Sequence, residues 1–119
     1  MEKNIILMHS TGTYPTFLEE TNLKMITSLQ ERYQNIPIGY SSHSLNILAP
    51  IIAITLGACV IEQHITLDRK MWGSDQKSSL EPSELKEIVK SIRETEIMLG
   101  DGKKIIYPRE IPIIKKLRK

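Results

Sequence analysis

An α/β fold with parallel strands is what this sequence predicts, and three observations predict it. Three short runs rich in β-branched and apolar residues each stop at polar groups. Helical periodicity fills the segments between and after them, and the short connections call for right-handed crossovers within one sheet. Finally, 119 residues at 40% hydrophobic content furnish one domain's worth of core, well short of the roughly 250 residues of a closed (β/α)₈ barrel.

Taken in order, Asn4 to Met8 is a continuous apolar run that suits a strand buried on both faces. It ends at His9 to Pro15, where hydroxyls and Gly12 make a loop able to approach a ligand closely. Leu23, Ile26, Leu29 and Tyr33 recur at steps of three and four, which predicts an amphipathic helix over Glu19 to Gln34. Asn35 to Pro37 breaks it, and Ile36 to Ser41 forms the second strand. Leu48 to Leu56 is apolar nearly all round, as in a helix packed on several sides, with Pro50 tolerated in its first turn and Gly57 at its close.

The third strand, Cys59 to His64, reads as buried, with Glu62 and His64 at its end. An irregular polar stretch, Asp68 to Leu80, follows it. Glu81 and Pro82 open the last helix, whose stripe is Leu85, Ile88, Val89, Ile92 and Leu99, and Gly100 stops it. The tail from Asp101 to Lys119, interrupted by Pro108 and Pro112, reads as a linker rather than an element. The expected division is therefore residues 1–102 as the folded unit and 103–119 as a basic linker.

Residues 103–119 hold seven Lys/Arg and one Glu, so the formal +2 conceals a mildly acidic body. Apolar residues interleave with the tail's charges and no aromatic platform accompanies them, which argues against nucleic acid as a partner. Cys59 is the sole cysteine, which excludes an intrachain disulfide; its apolar run predicts a buried thiol in a reducing compartment. The longest apolar run, Ile47 to Leu56, is too short to span a bilayer, and no signal-like segment opens the chain. The expected location is cytoplasmic.

Parallel α/β architectures bring the carboxyl ends of neighbouring strands to one crevice. His9, Thr11, Tyr14, Ser41, His43, Glu62, His64 and Asp75 are then expected around one pocket. Two imidazoles from adjacent strands are either metal ligands or hydrogen-bonded structural groups. Glu62 is either a general base or one half of an ion pair with Lys or Arg. Ser41 and Thr11 either hold an anion or cap the next helix, and Met71 and Trp72 either line a sugar site or cover the mouth of the crevice.

Four ordered segments then carry a resemblance: His9 to Thr16 (His-Ser-Thr-Gly-Thr-Tyr-Pro-Thr), Ile38 to His43 (Ile-Gly-Tyr-Ser-Ser-His), Leu56 to Arg69 (Leu-Gly-Ala-Cys-Val-Ile-Glu-Gln-His-Ile-Thr-Leu-Asp-Arg) and Ser74 to Pro82 (Ser-Asp-Gln-Lys-Ser-Ser-Leu-Glu-Pro). Together the chain resembles the sialic acid synthase (N-acetylneuraminate synthase) family over nearly its whole length. The resemblance implies a partial TIM (β/α)₈ barrel, about the last three βα units, leading toward an antifreeze-like domain that these residues do not include. It also implies condensation of phosphoenolpyruvate with N-acetylmannosamine or a related amino-sugar aldehyde, with release of phosphate. A divalent metal, manganese or alternatively magnesium, would sit on His43 and His64. Glu62 would be the active-site carboxylate, Ser41 a phosphoenolpyruvate contact, and Tyr14 and Asp75 amino-sugar contacts.

Departures from the family pattern carry expectations of their own. Ser42 stands where Asp is common and so withdraws a carboxylate from beside His43; Gln63 replaces a basic residue, Gly12 a polar one and Gln76 a frequent His. These changes imply a nonulosonic acid other than N-acetylneuraminate as product. A lone partial barrel is expected to be inactive and to associate with itself or with a complementary barrel fragment. The rival reading from another class is a non-catalytic metal- or sugar-binding remnant of such a synthase. A different phosphoenolpyruvate-condensing barrel, such as a deoxy-sugar phosphate synthase, fits the four segments less well.

Overall fold

The computed structural model describes residues 4–118. Three parallel strands form one sheet in sequence order: β1 (Leu7–Ser10), β2 (Ile38–Ser42) and β3 (Val60–Gln63). Between them run α1 (Met25–Arg32) and α2 (Leu48–Thr55), and α3 (Pro82–Leu99) follows β3. The α/β class and the parallel strands expected from the sequence are therefore present. An isolated parallel bridge between Ile65 and Leu80 carries the ladder one step past β3.

Register decides which side chains meet. Leu7 pairs with Ile38, His9 with Tyr40 and Tyr40 with Ile61, so these residues share one face of the sheet. That face packs on the helices: Ile26 from α1 and Ala49 and Ala53 from α2 join Ile38, Tyr40 and Ala58 in the core, with Leu7, Leu23, Leu29, Leu56 and Ile61 around them. The opposite face carries Met8, Gly39 and Val60 in one row and Ser10, Ser41 and Glu62 in the next. Met8 Sδ occupies the place that a Cβ on Gly39 would take, and the Val60 carbonyl lies 2.9 Å from it, so this row needs a glycine at its centre.

Helix ends follow local chemistry. Asn46 Oδ1 accepts from Leu48 N–H at 2.8 Å and starts α2, and Gly57, at φ +94°, turns the chain out of it. Pro82 opens α3 while Glu84 reaches back to Glu81 N–H at 2.8 Å, and Gly100 at φ +59° ends it. Ile26 is fully buried at the centre of the core. Ile26→Ala should therefore lower unfolding free energy by about 3 kcal/mol, read as a lower urea midpoint at unchanged slope.

Several sequence expectations need correction. β1 begins at Leu7; Asn4, Ile5 and Ile6 lie outside the strand and are exposed, because the ladder begins where Leu7 meets Ile38. The first helix is shorter than expected: Leu18–Glu20 is a separate 3₁₀ turn, and Asn22 at φ +40° divides it from α1. β3 is half-exposed rather than buried, since it is an outer strand of the described sheet, and Cys59 beside it is exposed, with Sγ donating to the Ile38 carbonyl at 3.3 Å. The tail is not devoid of elements. It holds a 3₁₀ turn, Pro108–Glu110, and a short helix, α4 (Ile111–Leu117); both prolines stand in first turns, where a missing N–H costs nothing.

The radius of gyration, 18.9 Å, exceeds the roughly 13 to 14 Å of a compact domain of this length. A tail whose residues are nearly all exposed accords with that excess. Among the described residues no helix is long and apolar enough to cross a membrane.

Candidate active site

The loops that leave β1, β2 and β3 converge, as parallel strands require. Past Ser10 the chain runs out through Thr11 to Thr16, and Thr16 N–H donates to the His43 carbonyl at 3.1 Å, which ties this loop to the one after β2. Thr16 Oγ1 donates to the Thr13 carbonyl at 3.0 Å and Thr11 Oγ1 to the Glu20 carbonyl at 2.9 Å. The loop is thereby pinned at both ends, and it presents Tyr14 over the ends of β2 and β3.

Tyr14 stacks on His43 with ring centroids 4.0 Å apart, and the His43 and His64 rings meet edge-on at 5.5 Å. The Tyr14 hydroxyl lies 2.8 Å from His43 Nε2 and 3.1 Å from His64 Nε2. Donor accounting sets the direction of these bonds. The Thr11 carbonyl can only accept, so His43 Nδ1, 2.7 Å away, carries a proton, and in the neutral ring Nε2 then bears the lone pair. Tyr14 O–H therefore donates to His43 Nε2, and its oxygen accepts from His64 Nε2–H. His64 Nδ1 in turn stands 3.9 Å from Asp75 Oδ2.

Two residues before each histidine, on the same side of β2 and β3, lies the second half of the site. Ser41 Oγ donates to Glu62 Oε1 at 2.6 Å, and Ser10 is in register with both. Glu62 makes no ion pair among the described residues, so the alternative of a Lys or Arg partner is not found there.

The loop that delivers Asp75 is braced from below. Arg69 N–H donates to Glu81 Oε1 at 3.2 Å, its Nε donates to the Ser79 carbonyl at 3.0 Å, and its guanidinium pairs with Glu84. The hydrogen bond from Arg69 holds the Glu84 carboxyl below the usual range, and the same bond raises Arg69.

Of the expected pocket residues, Tyr14, His43, His64 and Asp75 come together, and Ser41 and Glu62 join each other on the adjoining row. His9 does not join them. It stacks on Tyr40 at 5.9 Å and donates to the Thr21 carbonyl at 2.8 Å, on the helix-covered face, because it shares parity with Leu7. Thr11 contributes its backbone carbonyl, not its hydroxyl. Ser42 is fully buried on the helix side, and the partner of His43 Nδ1 is the Thr11 carbonyl. Trp72 is 99% exposed at the outer loop. Ser10 was not singled out from sequence, although its place two residues after Met8 puts it on the open face.

Tested as a metal centre, the residues fit as half of one. Two imidazole Nε2 atoms point to a common place, each ring has its Nδ1 beside an oxygen, and oxygen ligands from water or substrate would complete the set. Among the described residues no group of three or more His, Cys, Asp or Glu side chains gathers to hold an ion unaided.

Comparison with known proteins gives a consistent picture. The family model described as "NeuB family" matches residues 1–104. The N,N'-diacetyllegionaminic acid synthase of Legionella pneumophila is 43% identical over 109 residues, covering 92% of this chain and 30% of that protein. The N-acetylneuraminate-9-phosphate synthase of Homo sapiens is 42% identical over 119 residues, covering 100% of this chain and 33% of that protein. The chain thus spans about a third of the length of these curated relatives. Among solved structures, an N-acetylneuraminic acid synthetase from Leptospira borgpetersenii, in complex with citrate, superposes with a TM-score of 0.78 at 38% identity, over 96% of this chain and 41% of that one.

Proposed function

The chain belongs to the NeuB family, and from that premise we propose that it forms the metal-bearing part of a nonulosonic acid synthase barrel, which joins phosphoenolpyruvate to an N-acylated amino-sugar aldehyde and releases phosphate. Residues 1–102 are read as about three βα units of a (β/α)₈ barrel, and residues 103–119 as the basic passage out of it. The sheet face opposite the helices, with Met8, Gly39, Val60, Ser10, Ser41 and Glu62, is the barrel's inner wall in this reading. Further parallel strands, from the same protein or a complementary fragment, would cover it.

One observation carries the proposal: His43 and His64 aim their Nε2 atoms at one spot beside a row holding Ser41 and Glu62. A divalent ion there, manganese by the family reading, would supply Lewis-acid polarisation of the aldehyde oxygen. The chain's own groups then divide the remaining work. Ser10 and Ser41 line the wall where phosphoenolpyruvate would lie, and Tyr14 and Asp75 flank the place for the sugar. The enolpyruvate methylene carbon forms the new bond to the aldehyde carbon as the C=O π pair moves onto the aldehyde oxygen, which takes a proton from water to become a hydroxyl. Positive charge is left at the carbon bearing the phosphate ester. Water adds at that carbon while Glu62 takes its proton, and the adduct collapses to the keto acid as phosphate departs.

The N,N'-diacetyllegionaminic acid synthase and the N-acetylneuraminate-9-phosphate synthase match almost equally, so the amino sugar is proposed only as a class. The test is a hybrid in which these 119 residues replace the matching third of the Legionella pneumophila relative. With manganese, phosphoenolpyruvate and N-acetylmannosamine or a diacetamido analogue, the hybrid should release phosphate and the 119-residue chain alone should not. A folded hybrid that condenses none of these aldehydes would overturn the proposal.

A further inference from the structure

We infer that Tyr14 is a displaceable occupant of the ion position, so that a divalent cation and the Tyr14 hydroxyl compete for the same two imidazoles. This rests on the reading of His43 and His64 as the ion's donors and goes beyond it. Tyr14 O–H donates to His43 Nε2 at 2.8 Å, and the lone pair an ion would need is the one that this bond engages. The same oxygen receives His64 Nε2–H at 3.1 Å, so the second nitrogen also faces the phenol.

An ion bound to both nitrogens requires two changes. The phenol has to leave, and His64 has to turn the lone pair of Nε2 to the ion with its proton carried on Nδ1, the nitrogen that faces Asp75 Oδ2 across 3.9 Å. Displacement is favoured over ligation because a neutral phenol is a poor donor to hard divalent ions beside water and carboxylate oxygens. Tyr14 has room to go: it is 43% exposed, and the loop is anchored through its neighbours Thr11, Thr13 and Thr16 rather than through Tyr14 itself. Ion entry would thereby free the hydroxyl for the sugar, so that metal binding comes before sugar recognition.

Titration calorimetry with manganese alone tests this on the 119-residue chain, on Tyr14→Phe and on a His43→Ala/His64→Ala double variant. Phenylalanine keeps the ring stacked on His43, and circular dichroism verifies that the fold is retained. Tyr14→Phe should bind manganese about tenfold more tightly. Manganese should also change the near-ultraviolet tyrosine absorbance of the unaltered chain and not that of Tyr14→Phe. Equal or weaker binding by Tyr14→Phe, with binding abolished in the double variant, overturns the competition and leaves the metal reading standing. Binding absent from every variant, or surviving in the double variant, overturns both.

Discussion

Replacing His64 with alanine should reduce manganese affinity by roughly a thousandfold, because loss of an outer partner alone costs about ten- to a hundredfold and a direct donor costs more. The geometry sharpens this expectation. Among the described residues only two imidazoles are offered to the ion, with no third His, Cys, Asp or Glu to take over. His43→Ala should do the same, while Asp75→Asn, which alters only the group beside His64 Nδ1, should cost about tenfold. His9→Ala is the internal control, since its ring is committed to Tyr40 and the Thr21 carbonyl on the other face of the sheet. Electron paramagnetic resonance of free manganese during titration reads all four. Equal losses for His9→Ala and His64→Ala would mean that ion binding reports general damage rather than a site.

Much of this arrangement was legible in the sequence because strand ends concentrate chemistry. An apolar run that stops at Glu62 and His64, and another that stops at His43, already placed those groups at one crevice. Misplacements arose where parity or edges decide. His9 and Ser10 both follow the first apolar run, and only the pairing of Leu7 with Ile38 reveals that His9 faces the helices and Ser10 the open wall. Cys59 sits among apolar residues yet is exposed, because burial in a sheet depends on a neighbouring strand that local sequence does not specify. Asn22 at φ +40° and the prolines at the starts of the tail's helical turns show a related limit: a residue read as a breaker or as neutral acts according to where the turn begins. The ties that matter most to the site, from Thr11 and Thr16 to His43, run through backbone carbonyls and leave no mark in residue type.

Glu62→Gln, placed in the hybrid synthase, should lower kcat by about a thousandfold through loss of a general base, with manganese affinity unchanged. Among the described residues the carboxylate has one hydrogen-bond partner, the Ser41 hydroxyl at 2.6 Å. Amide replaces acid with nearly the same shape, so the Ser41 contact and the row with Ser10 survive while proton acceptance is lost. Ser41→Ala separates the two contributions. It leaves the base in place but frees its orientation, and it should cost about tenfold in kcat, together with a higher KM for phosphoenolpyruvate if the hydroxyl also touches that substrate. Phosphate release at saturating and limiting phosphoenolpyruvate measures both effects. A Glu62→Gln hybrid that retains kcat while Ser41→Ala loses it would move the proton-accepting role elsewhere and leave this row as a wall that only orients the enol.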